Sequence, residues 1–240
     1  MSTTAITLAE LADLIGRATG VKTDTEQLLE PSVTFDDLTV DSLGRLGVLS
    51  ELERRFGLDP ESDELPSDTV YDLLLGCYRR LVTAGRLESG VTEQAVVIDA
   101  PYREVWEQTN DVPAWPELFS EYASAEILER SGDTVTFRLT MHPDENGAVW
   151  SWVSARTVDA ATGTVRARRV ETGPFAFMTL LWTYREVPGG VELRWRQEFA
   201  MKPDAPLDTP AMTARISANS TFQLELIRGR VEERARRRAA

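Results

Sequence analysis

The hydrophobic period changes once along this chain, at residues 83–91, TAGRLESGV. Before that stretch, apolar residues recur every three or four positions. The sets are Leu8, Leu11, Leu14 and Ile15, then Leu43, Leu46, Leu49, Leu52 and Phe56, then Val70, Leu73, Leu74 and Leu81. Each set places an apolar stripe along one helix. After the stretch, apolar and polar residues alternate through QAVVID, AEILER, TVTFRLTM, VWSWVSARTV, TVRARRV, FMTLLWTYREV and VELRWRQEF. Alternate side chains of an extended chain share a face, so these seven segments read as strands. Two periods imply two packing units: a helical domain over 1–82, a linker over 83–91, and a second domain over 92–240.

Local signals refine the elements. Thr7 and Glu10 have capping-box spacing, and Asp68 can cap the third helix. The second helix opens with Asp41-Ser42-Leu43, where either Asp41 or Ser42 can serve as the cap. SGD, DENG, ATG and PGG mark turns between strands. Short helical pieces fall at PYREVWEQTN and PELF, and a long helix closes the chain from about Leu207. A meander of strands with one long terminal helix is an α+β arrangement, the helix packing on an antiparallel sheet.

Composition narrows the function. The net charge of −13 disfavours nucleic acid as a partner. It is uneven: residues 1–90 carry −9 and residues 91–240 carry −4. No apolar run reaches the ~18 residues a membrane helix needs. The first residues lack a signal peptide's basic and apolar blocks. The single cysteine, Cys77, forms no internal disulfide and fits a reducing cytoplasm. With one cysteine and one histidine, His142, no common zinc site can be assembled, and no metal is expected. His142 reads as a turn residue.

The chemistry is concentrated in the strands. In WSWVSAR, Trp150, Trp152, Ser154 and Arg156 share one face, and a guanidinium beside two indoles needs a reason. A face lining a cavity supplies one, because Ser154 and Arg156 can then meet ligand or water. Val165, Ala167 and Arg169 share a face in the same way, so Arg169 is either a second such cation or an ion-pair partner of Glu171 or another carboxylate. Met178, Leu180, Trp182 and Tyr184 form another set, and Val191, Leu193, Trp195 and Gln197 another. On the terminal helix Met212, Ile216, Asn219, Ser220, Gln223 and Leu226 align, a stripe with a polar centre.

Two resemblances follow. VDSLGRLGVLSELERRFG, with its Asp41-Ser42-Leu43, resembles acyl carrier proteins over about residues 5–82. That implies a four-helix bundle and 4′-phosphopantetheine attached to Ser42. Thr39 stands where the family often has glycine. The segments NDVPAWPELFSEYASAEIL, MHPDENGAVWSWVSARTV, RRVETGPFAFM and RWRQEFAMKPDAP resemble the aromatase/cyclases of bacterial type II polyketide synthesis. These belong to the Bet v 1/START-like helix-grip superfamily, in which a curved sheet wraps a long helix around a cavity.

The second resemblance implies a poly-β-ketone substrate. It places pocket residues at Trp115, Tyr122, Trp150, Trp152, Ser154, Arg156, Arg169, Phe175, Met178, Trp195 and Gln223. Gln223 replaces the family's more usual asparagine, and Arg215 stands where histidine is expected. Arg156 is expected to act as a fixed cation, because arginine stays protonated, and Tyr122 as a proton donor or relay. Ser154 and Gln223 are expected to orient carbonyls, with the aromatic residues as walls. The implied partners are a ketosynthase/chain-length factor, other type II synthase proteins and a phosphopantetheinyl transferase. The rival expectation is a non-catalytic domain that binds and chaperones the polyketide.

Overall fold

The computed structural model describes residues 8–24, 27–28, 33–56 and 69–239. The chain divides into two compact units, Met1–Ser89 with Met201–Asp204, and Gly90–Ala200 with Ala205–Ala240. Only five residues, 84–88, separate the last helix of the first unit from the first strand of the second. The segment expected as linker is therefore shorter, because residues 89–91 already belong to that strand.

In the first unit, α1 is Leu8–Thr19, α2 Ser42–Phe56 and α3 Val70–Thr83. The expected fourth helix lies outside these described elements, as do Thr7 and Asp68. Thr69 holds the N-cap position of α3, its hydroxyl accepting from the Asp72 N–H at 3.1 Å. Leu11, Leu14 and Ile15 of α1 and Leu73, Leu74, Cys77 and Leu81 of α3 are buried as their spacing predicts.

Helix α2 departs from its predicted stripe. Val48 and Leu52 are buried, whereas Leu43 is 77% and Leu46 62% exposed. The buried face runs through Gly44, where a side chain would come within 2.8 Å of the Thr19 methyl group. A glycine at the closest approach of two helices turns the face, and it is invisible to a search for large apolar residues.

The second unit is a seven-stranded sheet ordered β1-β7-β6-β5-β4-β3-β2. Its strands are β1 Ser89–Ile98, β2 Tyr122–Ser131, β3 Thr134–Met141, β4 Ser151–Asp159, β5 Thr164–Arg169, β6 Phe175–Val187 and β7 Gly190–Met201. All seven predicted strands are present. Between β1 and β2 lie α4 Tyr102–Asn110, a 3₁₀ turn Val112–Ala114 and α5 Trp115–Leu118. The 31-residue α6, Thr209–Ala239, packs Leu224, Ile227 and Val231 into the core formed with Val96, Ile98, Val191 and Leu193.

Register sets the inner face. Across β3, β4 and β5, Phe137 pairs with Ser154 and Ser154 with Arg169, while Val135 pairs with Arg156 and Arg156 with Ala167. Leu139 opposes Trp152, and Val165 opposes Trp182. Trp152, Ser154 and Arg156 thus line one face beside Arg169, as alternation requires.

Candidate active site

Arg156 is the most deeply set cation, with 3% of its surface exposed. Its guanidinium carbon lies 4.5 Å from the ring centre of Trp182 and 5.1 Å from that of Trp115. Desolvated cation–π contacts of this kind contribute about 2 kcal/mol. Nη1 donates to the Thr109 carbonyl at 3.3 Å, and the Trp115 indole N–H donates to the same oxygen at 3.0 Å. That carbonyl belongs to the last turn of α4, where backbone acceptors lack helical partners and the helix end is partly negative. The Tyr184 hydroxyl also faces the guanidinium. Burial lowers the Arg156 pKa, and Tyr184 opposes the shift. Nη2 is buried and makes no hydrogen bond among the described residues. The chain thus places a cation among rings, one carbonyl and one phenol, and leaves Nη2 without a hydrogen-bond partner among the described residues.

A second station sits on the neighbouring strand. The Arg169 guanidinium lies 4.1 Å from the ring centre of Trp152 and 4.8 Å from that of Phe175. Burial pushes its pKa down to about 10, against the attraction of Tyr122 and Glu121. Glu171 takes both Nη groups of Arg138, at 2.7 and 2.9 Å, and accepts from the Val153 N–H. The Tyr122 hydroxyl is buried and points to Glu121, and burial first, then Glu121, hold its pKa well above the usual phenol value. A phenol in that state keeps its proton.

The walls are aromatic. Trp182 stacks on Trp195 at 4.5 Å and on Trp115 at 5.8 Å. Trp115 also stacks on Tyr122 at 6.1 Å, and Tyr122 meets Trp152 edge-on. Phe119 stacks on Trp195, whose indole N–H is buried and unpartnered among the described residues. Phe175 packs edge-on against Phe199 beside Arg169. Met178 is buried on β6, two residues before Leu180, and Ser154 is buried opposite Arg169.

One of the expected pocket residues is exposed. Trp150 precedes β4 and is 55% exposed. It ends the loop after β3, its side chain hydrogen-bonded to Asp144, which also accepts from the Asn146 and Ala148 N–H groups at 2.9 Å. The loop, not the sheet, sets its direction, so alternation stops one residue short of it. His142 lies at the start of that loop, and its N–H donates to the Glu121 carbonyl. Gln223 is buried and hydrogen-bonded within the protein. Its amide accepts from the Ser120 N–H at 3.2 Å and donates to the Ser120 hydroxyl at 3.0 Å, latching α6 to the segment before β2.

The polar centre of α6 is likewise met by protein. Asn219 donates to Glu121, and Gln197 donates to Ser220 at 2.6 Å. Arg215 is exposed. Sequence reasoning missed Thr109 and Glu121 altogether, and it grouped Trp182 and Tyr184 on one face without a role.

Among the described residues, no group of three His, Cys, Asp or Glu side chains is placed to hold a metal ion. No described helix is long and apolar enough to cross a membrane.

In the first unit Ser42 is the exposed first residue of α2. Asp41 caps the helix, its carboxylate accepting from the Gly44 N–H at 2.7 Å, which leaves capping to Asp41 and not to Ser42. The free N–H groups of a helix start favour a phosphodiester at that position. Thr39 has a φ of +56°, the left-handed region, and its hydroxyl donates to the Leu38 carbonyl. Glycine adopts that conformation without strain.

Comparison with known proteins agrees with both halves. Residues 98–223 match the family described as polyketide cyclase/dehydrase and lipid transport. Residues 6–74 match the phosphopantetheine attachment site family. A protein of Streptomyces cyaneus named "Putative polyketide cyclase" is 60% identical over 145 residues, covering 60% of this chain and 95% of that one. The curamycin polyketide synthase acyl carrier protein of the same species is 43% identical over 53 residues, covering 22% of this chain and 62% of that one. The crystal structure of the Zhui aromatase/cyclase from Streptomyces sp. R1128 superposes with a TM-score of 0.55 at 24% identity, over 61% of this chain and 96% of that one, and shares the helix-grip fold. The chain belongs to the polyketide cyclase/dehydrase family, and ahead of that domain it has an acyl carrier domain whose prosthetic group is phosphopantetheine.

Proposed function

We propose that the protein carries a poly-β-ketone on Ser42 and directs its first-ring aldol cyclisation and aromatisation, within a type II polyketide synthase. The observation that supports this most is Nη2 of Arg156, a buried guanidinium donor among aromatic rings that has neither a hydrogen-bond partner nor an ion-pair partner among the described residues. A buried cation without a counter-ion is costly, and an oxygen that becomes negative during the reaction would offset that cost.

The reaction needs such a group. A methylene between two ketones loses a proton to give an enolate, whose carbon attacks a distant ketone of the same chain. The resulting alkoxide takes up a proton, and loss of water then gives the aromatic ring. Arg156 donates to a ketone oxygen, stabilises the enolate and so acidifies the adjacent methylene, which lets water or a weak base remove the proton. Tyr122, held neutral, gives a proton to the developing alkoxide. Arg169 and Ser154, opposite one another on β5 and β4, hold a second carbonyl. The walls formed by Trp115, Trp152, Trp182 and Trp195 exclude water and keep the forming ring flat. Such positioning is worth ~7–11 kcal/mol in favourable intramolecular cases. Phosphopantetheine, when attached, supplies the thiol that holds the chain as a thioester. The partners implied are the ketosynthase and chain-length factor that build the chain, and the transferase that modifies Ser42.

The test is the product profile of a matching synthase with and without the protein. A shift from spontaneous shunt products to one regiochemistry supports catalysis. Unchanged ratios together with ligand binding would instead indicate a binding domain.

A further inference from the structure

We infer that Tyr184 and Thr109 act as positioning residues, fixing the orientation of the Arg156 guanidinium so that Nη2 is the donor left for substrate. This rests on the cyclase reading above and extends it to residues that do not touch the reacting atoms.

The argument starts from proton direction. The Thr109 hydroxyl has one proton, and its 2.8 Å contact with the Val105 carbonyl takes it. The Thr109 oxygen also lies 2.8 Å from the Tyr184 oxygen, so Tyr184 is the donor in that pair. The lone pairs of Tyr184 then face two donors, the Asn110 amide at 3.5 Å and the Arg156 guanidinium. Were the phenol proton free to turn toward Arg156, two donors would oppose each other. Thr109 prevents this by accepting it.

Thr109 acts twice. Its carbonyl accepts from Arg156 Nη1 and from the Trp115 indole, and its hydroxyl orients Tyr184. The carbonyl holds Nη1, the phenol interacts with the guanidinium, and Trp182 and Trp115 lie against it.

The Tyr184 ring is itself fixed. It meets Trp106 edge-on at 4.8 Å and Tyr102 at 6.4 Å. Its backbone N–H donates to the Gly163 carbonyl at 2.9 Å, and a side chain at Gly163 would come within 2.9 Å of both the Tyr184 carbonyl and the Tyr102 hydroxyl. The hydroxyl therefore reports to Arg156 from a rigid base.

The experiment uses the full chain with its synthase, and the variants Tyr184→Phe, Thr109→Val, Arg156→Ala and the double variant Arg156→Ala/Tyr184→Phe. Two readouts are taken: the ratio of regiospecific to shunt product, and the ¹⁵N–¹H signals of the arginine Nη groups. Tyr184→Phe keeps the ring packing, so the fold should persist. The product ratio should fall about tenfold, the scale of one hydrogen bond to a charged group. The separate Nη signals of Arg156 should collapse to an average while those of Arg169 stay. The double variant should be no worse than Arg156→Ala alone.

Wild-type Nη signals and product ratio in folded Tyr184→Phe would overturn the inference, as would a further loss in the double variant. Should Tyr184→Phe fail to fold, Thr109→Val decides by the same two readouts. If Arg156→Ala leaves the products unchanged, the cyclase reading fails, and the Nη signals still show whether Tyr184 positions the guanidinium.

Discussion

Arg156 and Trp182 form a face-on pair, the guanidinium carbon 4.5 Å from the ring centre, and Trp182 stacks in turn on Trp195. The cation is therefore part of the aromatic wall. Strands β4 and β6 do not pair; β5 lies between them. It presents Ala167 opposite Arg156, and this small residue leaves room for the guanidinium to reach across.

Trp182→Ala should destabilise the second unit by about 3–5 kcal/mol, the usual result of removing a large buried aromatic side chain. Trp150→Ala should change stability by no more than about 0.5 kcal/mol, as for an exposed side chain, and should leave product regiochemistry as it is. Chemical denaturation of both variants checks the pair. A large loss in Trp150→Ala would show that this residue packs on the inner face after all.

Thr39→Gly should stabilise the first unit by up to about 1 kcal/mol. A left-handed conformation costs a residue with a side chain roughly 1–2 kcal/mol, partly offset by the greater backbone entropy of unfolded glycine. Urea unfolding of the two proteins measures the difference. Equal or lower stability in the variant would mean that the Thr39 hydroxyl bond to Leu38 outweighs the strain.

Much of the second unit is legible in the sequence, because alternation alone orders Trp152, Ser154 and Arg156 on one face and brings Arg169 into view. Alternation fails at Trp150, where a loop anchored by Asp144 replaces the strand. The helix stripe fails at Leu43 and Leu46, where Gly44 decides the contact face. The polar centre of α6 suggested substrate contact, but Gln223, Asn219 and Ser220 each have protein partners. Pattern shows which way a side chain points and not what it meets, so the Thr109–Tyr184 pair, 75 residues apart, had no signal in the sequence.

Regioselectivity should be flat from roughly pH 6 to roughly pH 9 and fall toward pH 10. Arg169, pushed down to about 10 by burial, is a full cation below that value and loses charge above it. The Tyr122 phenol stays protonated over the same range, so it adds no alkaline step. Lowering the pH changes neither group. Arg169→Gln should start from lower selectivity and lack the alkaline fall. A fall of the same size in that variant would assign it to another group.

Ser42→Ala should abolish the mass gain produced by a phosphopantetheinyl transferase and coenzyme A, and should leave the helical content of the first unit intact, since Asp41 is the cap. Intact-protein mass spectrometry reads the result. Modification that persists in the variant would place the prosthetic group elsewhere.

The most direct measurement is the product distribution of Arg156→Lys and Arg156→Ala beside the wild type, with folding confirmed by circular dichroism. Lysine keeps a cation but loses the planar fork, and alanine loses both. Loss of one such donor is typically worth ~2.7–4 kcal/mol, enough for spontaneous cyclisation to compete. The expected result is partial selectivity in Arg156→Lys and almost none in Arg156→Ala. A folded Arg156→Ala protein that gives the same cyclised product in the same yield would contradict the role assigned to this cation.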